Sequence, residues 1–251
     1  MSDPDASSPE SQALYDQAHA ALAAGDLEEA KRLGATLREQ HFTGCYEIDA
    51  LIAHAEGHPE RGIEVLEQGT QRFPDLWLLW QLLGNFRSDA GELDEAERCY
   101  TQAAQAPGAN QASVQLNLAV LSGRRGDHAK ALARLSSIDP EDSGPDWWFS
   151  FANAWIWCKR ELRAEKLEAG HVFALMIDSA TDDEAYRCVQ VAHVAARDET
   201  EAWRILMEDA GDWFPGGRLD SAEIAGSGEG HLTGVLRLAR DAQTYPVEDE
   251  E

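Results

Sequence analysis

A single phrase recurs along this sequence about every 32 to 35 residues, and no other feature restricts the possible fold as strongly. Its clearest copy, residues 77–110, carries Trp80, Leu83, Gly84, Gly91, Ala96, Tyr100 and Ala103: an apolar helical face, a glycine turn, and a second apolar face. The same frame falls on residues 11–42 with Gly25 and Ala30, on 43–76 with Gly57, Gly62 and Pro74, and on 112–144 with Leu118, Ala119, Gly126 and Ala131. A looser copy covers 145–178 with Trp148, Phe151, Ala152, Trp155 and Ala164. There Lys159 replaces the turn glycine, so residues 147–177 read either as a modified helix pair or as one bent helix. One helix pair cannot bury its own apolar face, whereas stacked copies can.

The spacing W-x2-L-G, then a turn glycine, then A-x3-aromatic, resembles the tetratricopeptide repeat. Small residues such as Gly84, Ala119 and Ala152 let paired helices approach, while Trp80, Tyr100 and Trp148 fill the gaps between pairs. The resemblance covers residues 11–178 and implies a mostly α fold, a right-handed α-α superhelix of about five repeats with a concave wall. It further implies a protein-interaction module whose peptide or protein ligand lies along inward-pointing residues of the first helix of each pair. Those positions are Tyr15, His19, Glu47, Leu51, His54, Gln81, Asn85, Leu116, Arg124, Asn153 and Trp157. Asn85 and Asn153 take the place of the asparagine that the family uses to hold a ligand backbone, because an amide both donates and accepts. The paired lysines with which some members clamp a terminal carboxylate are missing, which disfavours acidic C-terminal tails as ligands.

Beyond Ser179 the phrase stops. An acidic link at 181–184 leads to Tyr186–Val194, YRCVQVAHV, which reads as a strand. Asp198 with Glu201 three residues on predicts a capped amphipathic helix with Ala202, Trp203, Ile205, Leu206 and Met207. DWFPGG (212–217) is a turn, and residues 219–224 and 231–239 flank GSGEG (226–230) as in a hairpin, although the second segment also fits a helix. The expected organisation is a disordered start at 1–10, helical repeats at 11–178, a small β-α-β-β module of α+β type at 183–246, and an acidic tail at 247–251.

Charge narrows the partners. The chain has 251 residues and a formal charge of −25, which argues against nucleic acid and membrane surfaces, themselves anionic. The charge is concentrated at the ends: residues 1–97 hold 20 acids against 6 bases, residues 98–180 hold 9 of each, and residues 181–251 hold 17 against 6. The basic cluster Lys159, Arg160, Arg163 and Lys166 is interleaved with Glu161, Glu165 and Glu168, as on a solvated helix face. No run of 18 apolar residues and no signal-like start occurs, so a cytoplasmic location is expected, with Cys45, Cys99, Cys158 and Cys188 as reduced thiols.

Chemical motifs are weak. His54 and His58 in HAEGH have the spacing of a zinc helix but not its H-E-x-x-H order, and Gly57 sits at the repeat turn. The glycines at 226, 228, 230 and 234 match no phosphate loop, and Glu229 would repel a phosphate. The run WWFSFANAWIW (147–157) invites an aromatic cage for a cation, but the frame turns Trp148, Phe151 and Trp155 to the core and leaves Phe149, Asn153 and Trp157 to line a pocket. No cofactor and no metal site is expected. The leading expectation is therefore a non-catalytic scaffold for a neutral or basic protein or peptide, with self-association through the C-terminal module left open. Two alternatives stand beside it: an acidic inhibitor or immunity-type protein capping a basic toxin, nuclease or nucleic-acid-binding partner, and an enzyme with a site near His193, Asp198 and His231.

Overall fold

A computed structural model describes residues 8–138, 145–180, 186–239 and 243–246. The chain divides into two compact units between Leu121 and Ser122. The first contains α1 (Pro9–Ala23), α2 (Leu27–Glu39), α3 (Cys45–Ala55), α4 (Pro59–Arg72), α5 (Trp77–Asp89), α6 (Leu93–Gln105) and most of α7 (Gln111–Arg124). Ser8 caps α1 by accepting from the Ser11 amide, with Pro9 in the first turn, so helix begins inside the stretch expected to be disordered. The acidic stretches 181–184 and 247–251 lie outside the described residues.

The repeat turns share one backbone solution. Gly25, Gly57, Gly91 and Gly126 have φ of 75°, 82°, 79° and 84°, a left-handed conformation that glycine adopts without strain. Each glycine amide bonds three residues back, to the carbonyl of Leu22, His54, Ser88 or Gly123. Each following amide bonds five back, from Asp26 to Ala21, His58 to Ala53, Glu92 to Arg87 and Asp127 to Ser122. Two orphan carbonyls per helix end are thereby satisfied, and the next residue starts the partner helix. In two turns it also caps that helix: Asp26 Oδ1 accepts from the Glu29 amide and Asp127 Oδ1 from the Lys130 amide.

Small residues sit where the frame puts them. Ala18, Ala30, Ala96, Ala119 and Ala131 are fully buried, and Ala50 almost so. A methyl group on Gly84 would stand 2.5 Å from Cε1 of Tyr100, and one on Gly62 2.4 Å from Cε1 of Phe86, so these aromatic rings occupy the volume a side chain would need. Leu33, Leu37, Ile48, Leu66, Leu79, Leu83 and Leu121 complete the core of the first unit.

The second unit contains the expected β-α-β-β order, as 186–196, 199–210, 218–227 and 234–238, but enlarges it and pairs its strands differently. It holds α8 (His128–Leu135), α9 (Pro145–Arg163), β1 (His171–Ala180), β2 (Tyr186–Ala196), α10 (Glu199–Ala210), β3 (Arg218–Ser227), β4 (Gly234–Leu238) and β5 (Gln243–Pro246). Residues 147–177 are thus neither a helix pair nor one bent helix. α9 stops at Arg163, Ala164 turns left-handed at φ 52°, and the chain re-enters as a strand whose Phe173, Leu175 and Ile177 alternate inward. The expected hairpin between 219–224 and 231–239 is also corrected: β3 pairs with β1 and β4 with β2, in the order β3-β1-β2-β4, all antiparallel. β5 pairs with the start of β2, beyond β4. The hairpin that does form is β1–β2, from His171 opposite Ala196 to Ala180 opposite Arg187.

The expected strand at 186–194 and the capped helix after Asp198 are both present. Asp198 Oδ1 accepts from the Glu201 amide, and Glu201 reaches back to the Arg197 amide. Ala152 and Ile156 of α9 share one core with Phe173, Leu175, Ile177, Val194, Ile205, Leu206, Phe214 and Val235. α9 therefore belongs to the sheet, and what reads as a fifth repeat is one layer of an α+β module.

Candidate protein-interaction surface

The first helix of each pair positions eight of the eleven residues expected to point inward in the first unit, and several of them bond across neighbouring helices. The Tyr15 hydroxyl on α1 donates to Glu47 on α3, and His19 Nε2 lies 3.5 Å from the other carboxylate oxygen. Glu47 is buried, and burial together with this carboxylate pushes the Tyr15 phenol far above its ordinary value. His54 packs edge-on against Phe86 of α5 at 5.6 Å. Gln81 Nε2 donates to Ser113 Oγ of α7 at 3.0 Å, while its own buried oxygen has no partner among the described residues. Leu51 is half-buried beside them.

Other nominated residues have different work. Asn85 Oδ1 accepts from the Tyr100 hydroxyl at 2.9 Å, which ties α5 to α6 instead of leaving the whole amide to a ligand. Leu116 is buried core. Arg124, Asn153 and Trp157 fall in the second unit. Arg124 is exposed, and Trp157 packs on His128 at 5.2 Å and on Gly123, whose Cβ would lie 2.5 Å from the indole. Trp157 is accordingly a packing residue.

Asn153 donates to the Phe149 carbonyl one turn back and lines a cavity of about 400 Å³ with Phe149, His193, Arg237, Leu238 and Ala239. Asp198 caps α10 and His231 is exposed, so of the three residues considered for an enzyme only His193 reaches this cavity. Within the aromatic run, Trp148, Phe151 and Trp155 pack inward, as their spacing implies. Trp148, Phe151 and Trp155 gather around Trp213 with centroids 5.5–6.4 Å apart, and Lys159 lies over Trp155 at 5.6 Å.

One cleft was not legible from the repeat frame. Arg38, His41, Asp49 and Arg72 surround about 460 Å³ at the ends of α2 and α4 and the start of α3. Arg38 is paired with Asp49, whereas Arg72 lies over Phe73 at 5.5 Å with no carboxylate partner among the described residues. Cys45, at the wall, is a buried thiol held above its ordinary pKa by that burial; Cys158 is pushed up to about 11 in the same way. No group of His, Cys, Asp and Glu with metal-holding geometry occurs among the described residues, and none of their helices is long and apolar enough to cross a membrane.

Comparison with known proteins agrees with the turn geometry. The family model of the tetratricopeptide repeat matches residues 11–33 and 112–136, which contain the turn glycines Gly25 and Gly126. Two segments of the chain thus carry the tetratricopeptide-repeat pattern. Similar solved structures include a thermophilic TPR protein of Thermus thermophilus, 25% identical, covering 61% of this chain and 81% of that one at a TM-score of 0.49. A second is pilF of Pseudomonas aeruginosa, 17% identical over 60% of this chain and 69% of that one, TM-score 0.49. A third is a putative kinesin light chain of Podosopora anserina with nearly identical TPR-like repeats, 15% identical over 65% and 96%, TM-score 0.44. No curated protein matches the sequence significantly. Tetratricopeptide arrays are in general protein-binding scaffolds, using the surface that successive repeats build together.

Proposed function

We propose that this chain is a non-catalytic scaffold that holds a neutral or basic protein or peptide along α1, α3 and α5. The observation that carries the reading is the lateral linkage of equivalent residues: Tyr15 and His19 with Glu47, His54 with Phe86, and Gln81 with Ser113. Side chains that brace one another across helices form a preorganised surface, so a ligand meets a strip whose ordering entropy is already spent. The nominated positions on those three helices hold one carboxylate, two imidazoles, two amides, an aromatic hydroxyl and a leucine, with no lysine or arginine, which suits a neutral or basic ligand. Nothing in the fold favours the acidic-inhibitor alternative separately.

The test uses a photo-crosslinking residue at Leu51, compared with one at Gln68 on α4, to capture a partner, followed by its affinity for Leu51→Arg and His54→Ala. A loss of tenfold or more is expected for Leu51→Arg. Equal crosslinking at both positions with unchanged affinity would sink the reading.

A further inference from the structure

Among the described residues, the sheet of the second unit has one edge covered and one edge, at β3, without a further strand. On the covered side β4 is only 5 residues long and lies under α9, so closely that a Cβ on Gly234 would stand 2.9 Å from Cγ of Arg160. On the other side β3 runs for 10 residues and pairs only with β1 among the described residues. A long edge strand presents unpaired N–H and C=O groups, and natural sheets blunt such edges with charged residues, proline, β-bulges or a covering element. β3 contains neither lysine nor proline. Its one base, Arg218, is turned onto the buried carboxylate of Asp178 at 2.7 Å. Ile224, 62% exposed, is the most exposed large hydrophobic residue described.

Charge selects the occupant. Asp220 and Glu223 are exposed and have no basic partner among the described residues. Bulges leave Asp220 and Ala225 out of register with β1, which frames Ser221–Ile224 as the regular stretch. Along that stretch Glu223, opposite Ala174, lies on one face and Ile224, opposite the inward Phe173, on the other. A second copy of the chain would bring the same two acids and the same surplus of 17 acids over 6 bases in residues 181–251 against this edge.

We infer that the outer edge of β3 is a binding site for an extended basic peptide, added to the sheet as one more strand. Its backbone pairs with Ser221–Ile224, its lysine or arginine side chains lie beside Asp220 and Glu223, and the alternate apolar side chains cover Ile224. The matching ligand alternates basic and apolar residues. This site lies in a different unit from the helix strip proposed above and does not depend on it.

The test titrates the full chain with fluorescein-labelled Lys-Val-Lys-Val-Lys-Val, the same peptide with its valine amides N-methylated, and Glu-Val-Glu-Val-Glu-Val, while amide hydrogen exchange locates the contact. Saturable binding of the first peptide is expected, with slowed exchange within 218–227, at least tenfold weaker binding of the N-methylated form, and none of the acidic one. Asp220→Lys with Glu223→Lys, both at exposed positions, should exchange the preferences of the two charged peptides while the melting temperature stays unchanged. Equal binding of the N-methylated peptide means charge capture without strand pairing and overturns the proposal. So does protection confined to the helices of the first unit, or protection of 218–227 that rises with protein concentration alone, which would make a second copy the occupant.

Discussion

The Arg163 guanidinium meets both carboxylate oxygens of Asp209, at 3.0 and 3.1 Å, and fastens the end of α9 to the end of α10. The indole of Trp155 adds a hydrogen bond to the Asp209 carbonyl at 3.0 Å. Asp209 is buried, so this pair holds an ionised carboxylate in a place that disfavours it. Burial outweighs the attraction of Arg163 and Lys159, and the carboxyl stands above its ordinary pKa. The contact also explains why α9 works as part of the α+β module.

Arg163→Met should destabilise the second unit by about 3 kcal/mol near neutral pH, because it leaves a buried charge unpaired. The raised pKa gives the pH dependence its sign. The folded state holds the Asp209 proton more tightly than the unfolded chain, so the penalty is full above the folded pKa and fades as pH falls toward the unfolded value. The variant's deficit should therefore shrink on acidification, and Asp209→Asn should restore part of it. Urea unfolding followed by tryptophan fluorescence at two pH values checks this; a deficit independent of pH would refute it.

How much of this was legible follows from which signals are local. The glycines at 25, 57, 91 and 126 announced their turns because only a left-handed residue accepts the two bonds that close each helix. Asp198 and Glu201 likewise spelled out a cap in sequence. β1 was hidden because Ala164 sits where the repeat wants a small residue, so the alternation of Phe173, Leu175 and Ile177 was absorbed into a helix frame. The helix face of Ala152 and Ile156 looks the same whether it meets helices or strands, and strand order is set by non-local pairing that no short window contains. For the candidate surface, the frame nominates Tyr15, Glu47 and Gln81, but the bonds from Tyr15 to Glu47 and from Gln81 to Ser113, and the engagement of Asn85 by Tyr100, depend on helix packing.

Two glycines in one repeat should fail for different reasons. Gly84→Ala drives a methyl group to 2.5 Å from the Tyr100 ring, an overpacking expected to cost about 1–3 kcal/mol. Gly91→Ala meets nothing within 4 Å, but at φ 79° it carries a conformational penalty of about 1–2 kcal/mol. A double-mutant cycle with Tyr100→Ala separates them: strong coupling for Gly84, additivity for Gly91. Equal coupling of both would contradict the packing account.

Two residues without glycine's freedom sit in the same left-handed conformation, His41 at φ 57° and Ala164 at φ 52°. At His41 the surrounding bonds repeat the glycine turns: its amide meets the Arg38 carbonyl and the Phe42 amide meets Leu37, each at 3.0 Å. His41→Gly and Ala164→Gly should each stabilise their unit by about 1 kcal/mol, a rise of roughly 2–4 °C in its melting temperature by calorimetry. A fall in either melting temperature would show that the wild-type side chain supplies more than the backbone strain removes.

The cross-strand pair His193 and Arg237 should make the second unit acid-sensitive. The guanidinium lies 3.4 Å from both ring nitrogens, and burial, followed by this positive charge, holds the imidazole below its ordinary pKa of about 6.5. Here the unfolded chain takes up the proton first. Stability from this residue is whole above about pH 6.5 and declines as pH falls through the window down to the folded value. Arg237→Gln removes the facing charge, so the His193 titration followed by NMR should move up toward the ordinary value. The same variant should lose less stability than the wild type between neutral pH and about pH 5, because protonation no longer sets two cations against each other across β2 and β4. An unmoved titration would mean that burial alone sets the shift and that Arg237 is screened from the ring by solvent.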